Sequence, residues 1–543
     1  VGEPAPASPT GRWVFVLVLT AAVLLGALLA QWSPVFSSYD SDLWTYVLVV
    51  ERVADGRDLL HDEPFHLEPP PSPQVTLPWL ALGLLRRAWA LPTLALVRGL
   101  GLVSIALLCA GAFTLAGRLL GAGTLRVIAL LLFWVSLPET WSAVALGRYL
   151  SVGFVALAAA AGVDLGKSRF SALRTGLFVA CAFYAHLFGG ALAAGAVGLV
   201  LLARWRCDDA PGWRPPALAA AVAALVAAPC LLYALGTAGL ARTSAHTWRP
   251  EQFEALGFVW MRPGQILDLL PVGPLILALV GLVVPCRHEW RLARTLCRFG
   301  SLAAALVLLT PLYQVAVEVF GAWMVGRVTV IAFPWLSAAL ALDWLRGDGR
   351  SRMRRAVEIA VLLVVALECA GRATGDWADQ PYALSAAAWA EATSLRETLR
   401  GRTFLAPDLM GYGLAAPTLG RPLAVPPGHA SPFGDFRRQQ RRVHRALAAN
   451  TAECWTALLT LYPDAAFLLT PAPGAEVERR IWRERFPTAT PEAVRDRLRE
   501  LGVLAPVREG PLFVVDAFVP GLGPGRPGRT GGMGLGLRCR DEP

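Results

Sequence analysis

Charge is scarce in this chain. Only 17% of its 543 residues are Asp, Glu, Lys or Arg, whereas 55% are hydrophobic. Soluble proteins carry about 25% charged residues, so this chain has too little charge to coat a water-facing surface of that size. A soluble enzyme, a secreted disulfide scaffold and a disordered tail protein are all excluded. Lysine is nearly absent: Lys167 is the single one among 50 basic residues. That bias toward arginine, with the abundance of alanine, points to a GC-rich bacterial genome. The nine cysteines offer no CxxC and no Cys/His spacing of a metal site. Most lie in or beside apolar runs, and Cys454 and Cys539, in the polar C-terminal part, are not expected to pair. No P-loop, GxGxxG, HExxH or GxSxG stands in a catalytic context, which leaves ATP-driven transport and protease chemistry without support.

What the sequence has instead is long apolar runs separated by arginines. In a soluble domain the net charge of +10 would suggest nucleic acid or an acidic partner; here the basic residues mark membrane topology. Trp13 to Trp32 is too long for a signal-peptide core and has tryptophan at both ends, so it reads as a retained anchor. Further spans are expected at 92–116, 126–138, 145–163, 175–186, 187–203, 216–236, 267–285, 299–319, 328–345 and 356–372. The pair within 175–203 is short for two full crossings. Connectors 118–126, 167–174, 204–214, 287–298 and 346–355 carry the arginine excess and are assigned to the cytoplasm. The reading is a polytopic α-helical membrane protein of about 11 transmembrane helices, with a cytoplasmic N-terminus and an extracytoplasmic C-terminal soluble α/β domain. In that layout 1–372 form the transmembrane domain, 373–519 the α/β domain and 520–543 a disordered Gly/Pro-rich tail. Within the α/β part, helices are expected at 383–400, 434–448, 474–486 and 491–501, and strands at 403–406, 466–469 and 512–515.

The first external connector, 33–75, is the most informative stretch. It holds eight acids (Asp40, Asp42, Glu51, Asp55, Asp58, Asp62, Glu63, Glu68) against two arginines. Ser37-Ser38-Tyr39-Asp40-Ser41-Asp42 leads into an apolar helix-like segment that ends near Ala54, with Gly56 as its stop. Asp42 then lies at a helix N-terminus, where the macrodipole favours an anion, while Asp40 opposes it as a like charge. Such a carboxylate pair at a lipid–water boundary acts as a general base or holds a divalent cation. The structural alternative is an acidic loop in which Asp40 caps the helix. Glu68-Pro69-Pro70-Pro71 follows as a stiff turn. A connector this long and patterned calls for a function, since most are short.

Aspartates soon after the first span, a lateral helix, a Pro-rich turn and a second span ending in basic residues together resemble the GT-C-fold glycosyltransferases, among them protein mannosyltransferases and aminoarabinose transferases. Asp40-Ser41-Asp42-Leu43-Trp44 is similar to their acidic first-loop signature. The resemblance covers the layout of 12–370. It implies a membrane glycosyltransferase that takes a sugar from a polyprenyl-phosphate donor, with Asp40 or Asp42 as the catalytic carboxylate; spacing does not separate the two. It also implies Mg or Mn at those aspartates if a metal is used, and no nucleotide. Two departures stand out. The second external loop offers only Glu139, with Arg148 further on, where many members carry an acidic pair, and a Trp-Trp-Asp signature is absent from the C-terminal part.

Arg327, in Gly326-Arg327-Val328-Thr329, enters a late span from outside, where a guanidinium can pair with a lipid phosphate or simply snorkel. His186 sits at the outer turn of the short hairpin and is a supporting candidate; a histidine hydrogen-bonded at a turn is its alternative. Arg242, His246 and Arg249 fall in the loop 237–266, and Asp268 and Glu318 near span ends. The basic run Arg437 to Arg442, after Val425-Pro426-Pro427-Gly428-His429, is expected either to touch anionic headgroups or to be a solvated helix face. The partners expected are a polyprenyl-phosphate sugar donor, membrane lipid, and a glycan, lipid or protein acceptor; no nucleic acid is expected. Competing readings are a non-catalytic transporter or flippase of lipid-linked glycans, which predicts charges near the bilayer midplane, and an envelope-assembly scaffold.

Overall fold

The structure, a computed structural model, describes residues 20–28, 35–36, 42–56, 77–121, 123–137, 147–168, 170–243, 272–310, 326–346, 384–406, 408–423, 436–469, 490–502 and 504–518, with 312, 360, 363, 364 and 367 between them. Asp40, Glu139, His246, Arg249, Asp268, Glu318, residues 425–429, the helix expected at 474–486 and the tail lie outside the described residues, as does all but four positions of 356–372.

Residues 20–28 are helical, and β1 (Val35–Phe36) follows. Two short helices come next, α1 (Asp42–Ala54) and α2 (Leu77–Trp89). Gly56 ends the first with φ +83°, a conformation glycine adopts without strain. The bundle then runs through α3 (Thr93–Leu120), α4 (Thr124–Val135), α5 (Gly147–Val163), α6 (Ser171–Ala185), α7 (Leu187–Arg206), α8 (Arg214–Thr243), α9 (Val272–Val283), α10 (Arg291–Leu308), a 3₁₀ segment Gly326–Ala332, and α11 (Pro334–Arg346). Among the described residues four helices are long and apolar enough to cross a membrane, or five if a pair bent by 112° is one span. Others, such as Ser171–Ala185, are apolar but shorter. On α8, Leu225, Leu232 and Leu235 are 78%, 68% and 69% exposed. A surface this apolar requires lipid around it. The chain is a membrane protein.

Two spans differ from the sequence reading for reasons that can be named. The span expected at 299–319 is helical from Arg291. Arg294 and Arg298 donate to the carbonyls of Val283 and Leu282 at 3.0 and 2.9 Å, so the charged turn satisfies the open C-terminal carbonyls of α9 instead of forming a loop. The span expected at 328–345 stands as one apolar crossing, Val328–Leu345, but changes from 3₁₀ to α-helix within it. Phe333 has φ +47° and precedes Pro334, which disfavours helix at the residue before it and starts one well.

Helices pack through small residues. A Cβ on Gly111 of α3 would lie 2.6 Å from the Gly153 carbonyl of α5. On Gly281 of α9 it would lie 1.8 Å from the Ser337 carbonyl of α11, where Ser337 also donates to the Ala278 carbonyl at 2.6 Å. Backbone contact of this kind is how helices associate in lipid. Gly281→Val is expected to destabilise the chain by at least about 1–3 kcal/mol, read as a lowered unfolding midpoint in detergent, because the obstructing atom is backbone and cannot swing away.

From β2 (Leu384–Ser385) onward the chain builds α12 (Ala386–Ser394), α13 (Arg396–Leu399), β3 (Thr403–Leu405), α14 (Asp408–Thr418), β4 (Arg421–Pro422), α15 (Phe436–Ala449), α16 (Ala452–Leu461), β5 (Ala466–Leu469), α17 (Pro491–Glu500), β6 (Leu504–Glu509) and β7 (Val514–Phe518). Five strands form one sheet in the order β4-β3-β5-β7-β6, parallel from β4 to β5 and antiparallel beyond. Along β5, Ala466 and Leu468 pack with α12–α14 and Phe467 and Leu469 with α15–α17, so the sheet is covered on both faces. The last strand starts later than the expected 512–515, because the Leu512 and Phe513 amides donate to the Glu391 carboxylate at 3.1 and 2.9 Å and leave the ladder. Strand β6 carries Pro506, which its edge position tolerates. In that far layer Asp516, fully buried, takes Arg495 at 3.1 Å and Arg499 at 3.0 Å; the hydrogen bond to Asp516 raises the Arg495 guanidinium against the lowering effect of burial.

The basic run lies on α15, which buries Val443, Ala446 and Leu447 against the sheet. That face is opposite the layer of α12–α14, whose α14 joins the bundle through Ala415 and Ala416. Cys454 is disulfide-bonded; Cys539 lies outside the described residues. Cys109, Cys181, Cys207, Cys230, Cys286 and Cys297 are free thiols.

Candidate functional site

Asp42 opens α1, at the helix N-terminus where the sequence reading puts it; its side chain is not among the described atoms. The rest of α1 shows how firmly that helix is held. Trp44, Val47 and Leu48 are fully buried, and Glu51, next in the same i, i+3, i+4, i+7 stripe, is 1% exposed. A carboxylate so deep must be paired. Arg86 of α2 lies 3.0 Å from it and Arg396 of α13 2.8 Å, and the Thr93 hydroxyl, at the start of α3, donates at 2.5 Å. One turn on, Asp55 pairs with Arg400 at 2.6 Å. At the other end of α1, Trp44 stacks on Trp389 of α12 with centroids 6.2 Å apart. Upstream, β1 pairs antiparallel with β2, Val35 opposite Ser385 and Phe36 opposite Leu384. The residues on both sides of 37–41 are thus bound to one short stretch, 384–389.

A second construction lies among α4, α5, the 3₁₀ segment and α11. Phe133, Ser136, Leu137, Val152, Thr329, Val330, Pro334 and Trp335 line a small, partly open pocket with a free space of about 20 Å³, room for roughly one water molecule. Its wall is apolar apart from two hydroxyls. Ser136 is 8% exposed and its hydroxyl has no hydrogen-bond partner among the described residues. The elements here are the ones that carry candidates. Arg148 is the second residue of α5, one turn before Val152, and Arg327 is the second residue of the 3₁₀ segment, two before Thr329. Both positions lie within one turn of a residue that lines the pocket; their side chains lie outside the described atoms. Glu139 would follow Leu137 after one residue.

His186 joins α6 to α7. Its Nδ1 accepts from the Gly189 amide at 3.3 Å, so it caps α7. The turn also presses on α5: a Cβ on Gly189 would lie 2.2 Å from the Ser151 hydroxyl. Among the described residues no three His, Cys, Asp or Glu side chains converge as metal ligands; Asp40 and the Asp42 side chain are not covered by that statement.

The sequence reading missed Glu51, Ser136 and Trp389. Glu51 left a signal, since it stands in the apolar stripe of α1 where an acid needs a partner. Ser136 and Trp389 left none.

No protein-family model matches the sequence, and no curated protein does. Solved structures do match, over nearly the whole chain. Archaeal oligosaccharyltransferase AglB from Archaeoglobus fulgidus, in complex with an inhibitory peptide and a dolichol-phosphate, aligns at 12% identity and TM-score 0.52, covering 92% of this chain and 73% of that one. ArnT from Cupriavidus metallidurans, bound to undecaprenyl phosphate, aligns at 15% and 0.51, covering 95% and 100%. The fold is that of the GT-C glycosyltransferases. Arabinofuranosyltransferase AftD from Mycobacteria aligns at 17% identity and TM-score 0.61, covering 94% of this chain and 40% of that one. At these identities the likeness establishes the GT-C fold and not the activity.

Proposed function

We propose that this chain is a membrane glycosyltransferase that moves a sugar from a polyprenyl-phosphate donor to an acceptor hydroxyl on the extracytoplasmic face of a bacterial inner membrane. The observation that carries the reading is the GT-C fold, whose solved neighbours hold dolichol-phosphate or undecaprenyl phosphate, together with the starts of the two elements bearing Arg148 and Arg327 beside one small apolar pocket. Two arginine-bearing helix starts beside an apolar wall suit the phosphate of such a lipid.

In the reaction proposed, the acceptor oxygen attacks the anomeric carbon as the bond from that carbon to the lipid phosphate oxygen breaks. The phosphate leaves with the electron pair. Asp42 or Asp40 takes the acceptor's proton. Arg327 and Arg148 offset the charge that grows on the departing phosphate, and Glu139 and His186 support the site from the second loop and the hairpin turn. A divalent cation, Mg or Mn, would sit at Asp40 and Asp42; no step depends on it. The region 373–519 would act as an extracytoplasmic domain that caps the site or holds the acceptor, above a transmembrane part spanning 1–372 in about 11 helices. The disulfide at Cys454 favours an oxidising compartment.

Purified protein in lipid, given radiolabelled polyprenyl-phosphate sugars, is expected to release sugar or pass it to a glycan acceptor. Absence of turnover with every common donor would move the weight to transport or scaffolding. Val152→Trp, which fills the pocket, is expected to raise the donor KM at least about tenfold; an unchanged KM would remove the pocket from the donor site.

A further inference from the structure

The contacts between α1 and the residues after 384 have a use beyond packing. Three interactions join α1 and the residue that follows it to this region, Trp44 with Trp389, Glu51 with Arg396 and Asp55 with Arg400, and upstream of the helix β1 pairs with β2. They are spread along the helix, from beside Asp42 to past its last residue. A helix held at one end can pivot; one held at both ends and paired upstream cannot shift its first residue without breaking a buried ion pair or a stack. Glu51 is also the point at which Arg86 of α2 and Thr93 of α3 meet Arg396, so one carboxylate ties the bundle and the C-terminal region to the same helix.

We propose that Trp389 and Arg396 are positioning residues: through Trp44 and Glu51 they fix α1 and thereby the placement of Asp42. The inference rests on the reading of Asp42 as an active-site carboxylate. Misplacing a reacting group by about 1 Å costs on the order of 10²-fold in rate, and lipid held in the bundle is bound elsewhere. The loss therefore falls on kcat, with the donor KM kept.

The test uses the full chain in lipid nanodiscs, with Trp389→Ala, Arg396→Ala and Arg396→Lys. Hydrogen exchange measured by mass spectrometry is expected to rise about tenfold in the α1 amides of both alanine variants and stay at the wild-type level in α3 and α5. Transfer is expected to lose about 10–100-fold in kcat at constant donor KM, and Arg396→Lys to recover at least half of it. Unchanged α1 exchange in both alanine variants overturns the proposal, as does a loss of protection spread through the bundle, which would mark a general folding role. Equal loss in Arg396→Lys and Arg396→Ala overturns it too. If wild-type protein transfers no sugar, the functional reading fails, and the exchange data alone still decide whether α1 is held from the C-terminal region.

Discussion

Asp42→Asn and Asp40→Asn, made singly, are expected to cut sugar transfer about 10²–10⁴-fold in the variant that loses the general base, with expression and unfolding midpoint unchanged. Asparagine keeps the size of the side chain and suits a helix start as well as aspartate does, so α1 has no structural reason to fray. What is lost is the negative charge and the basic oxygen. The two single variants also separate the roles that sequence spacing leaves tied. The base should show the full loss, whereas a carboxylate acting only by its charge, or by holding a cation, should show a smaller one that added Mg or Mn partly offsets. The measurement is single-turnover transfer from a radiolabelled polyprenyl-phosphate sugar. Transfer kept by both variants at more than a third of wild type would sink the assignment, and a lipid-flipping assay would follow.

The bundle was legible because lipid imposes a simple rule. Spans must be apolar and long, and their connectors must be sorted by arginine. Helices α3 to α7 therefore begin and end within four residues of the expected limits, down to the hairpin at His186, whereas α8 runs seven residues past its own. The same rule misled where arginine was not a connector. Arg294 and Arg298 close the carbonyls of a neighbouring helix, a tertiary use that hydropathy does not record. Asp42 at the head of α1 could be read because caps and stops are local, and Gly56 marks the other end. The pocket could not be read in this way. It joins Ser136, Val152, Thr329 and Trp335 from four elements, and nothing in a single sequence links positions so far apart. In the sheet region Glu391 displaces the start of the last strand by an interaction across the sequence.

Glu51→Gln should be the most destabilising single change in the first loop. The side chain is 1% exposed and holds Arg86, Arg396 and Thr93 together. Glutamine fills the same space and can still accept from Thr93, but it leaves two guanidiniums facing each other without a counter-charge. Breaking a buried pair on one side costs about 3–5 kcal/mol. The arginines remain 21% and 26% exposed, so water relieves part of this and the lower end of that range is expected, read by equilibrium unfolding in mixed micelles. The expected sign reverses when all three charges go. Glu51→Leu with Arg86→Met and Arg396→Met removes the desolvation cost along with the attraction, and such replacements are commonly neutral or stabilising. A triple variant as stable as wild type beside an unstable Glu51→Gln would show that unpaired charge, and not lost packing, explains the single change. A Glu51→Gln protein that unfolds with wild-type stability would remove the buried pair from the account of how α1 is held.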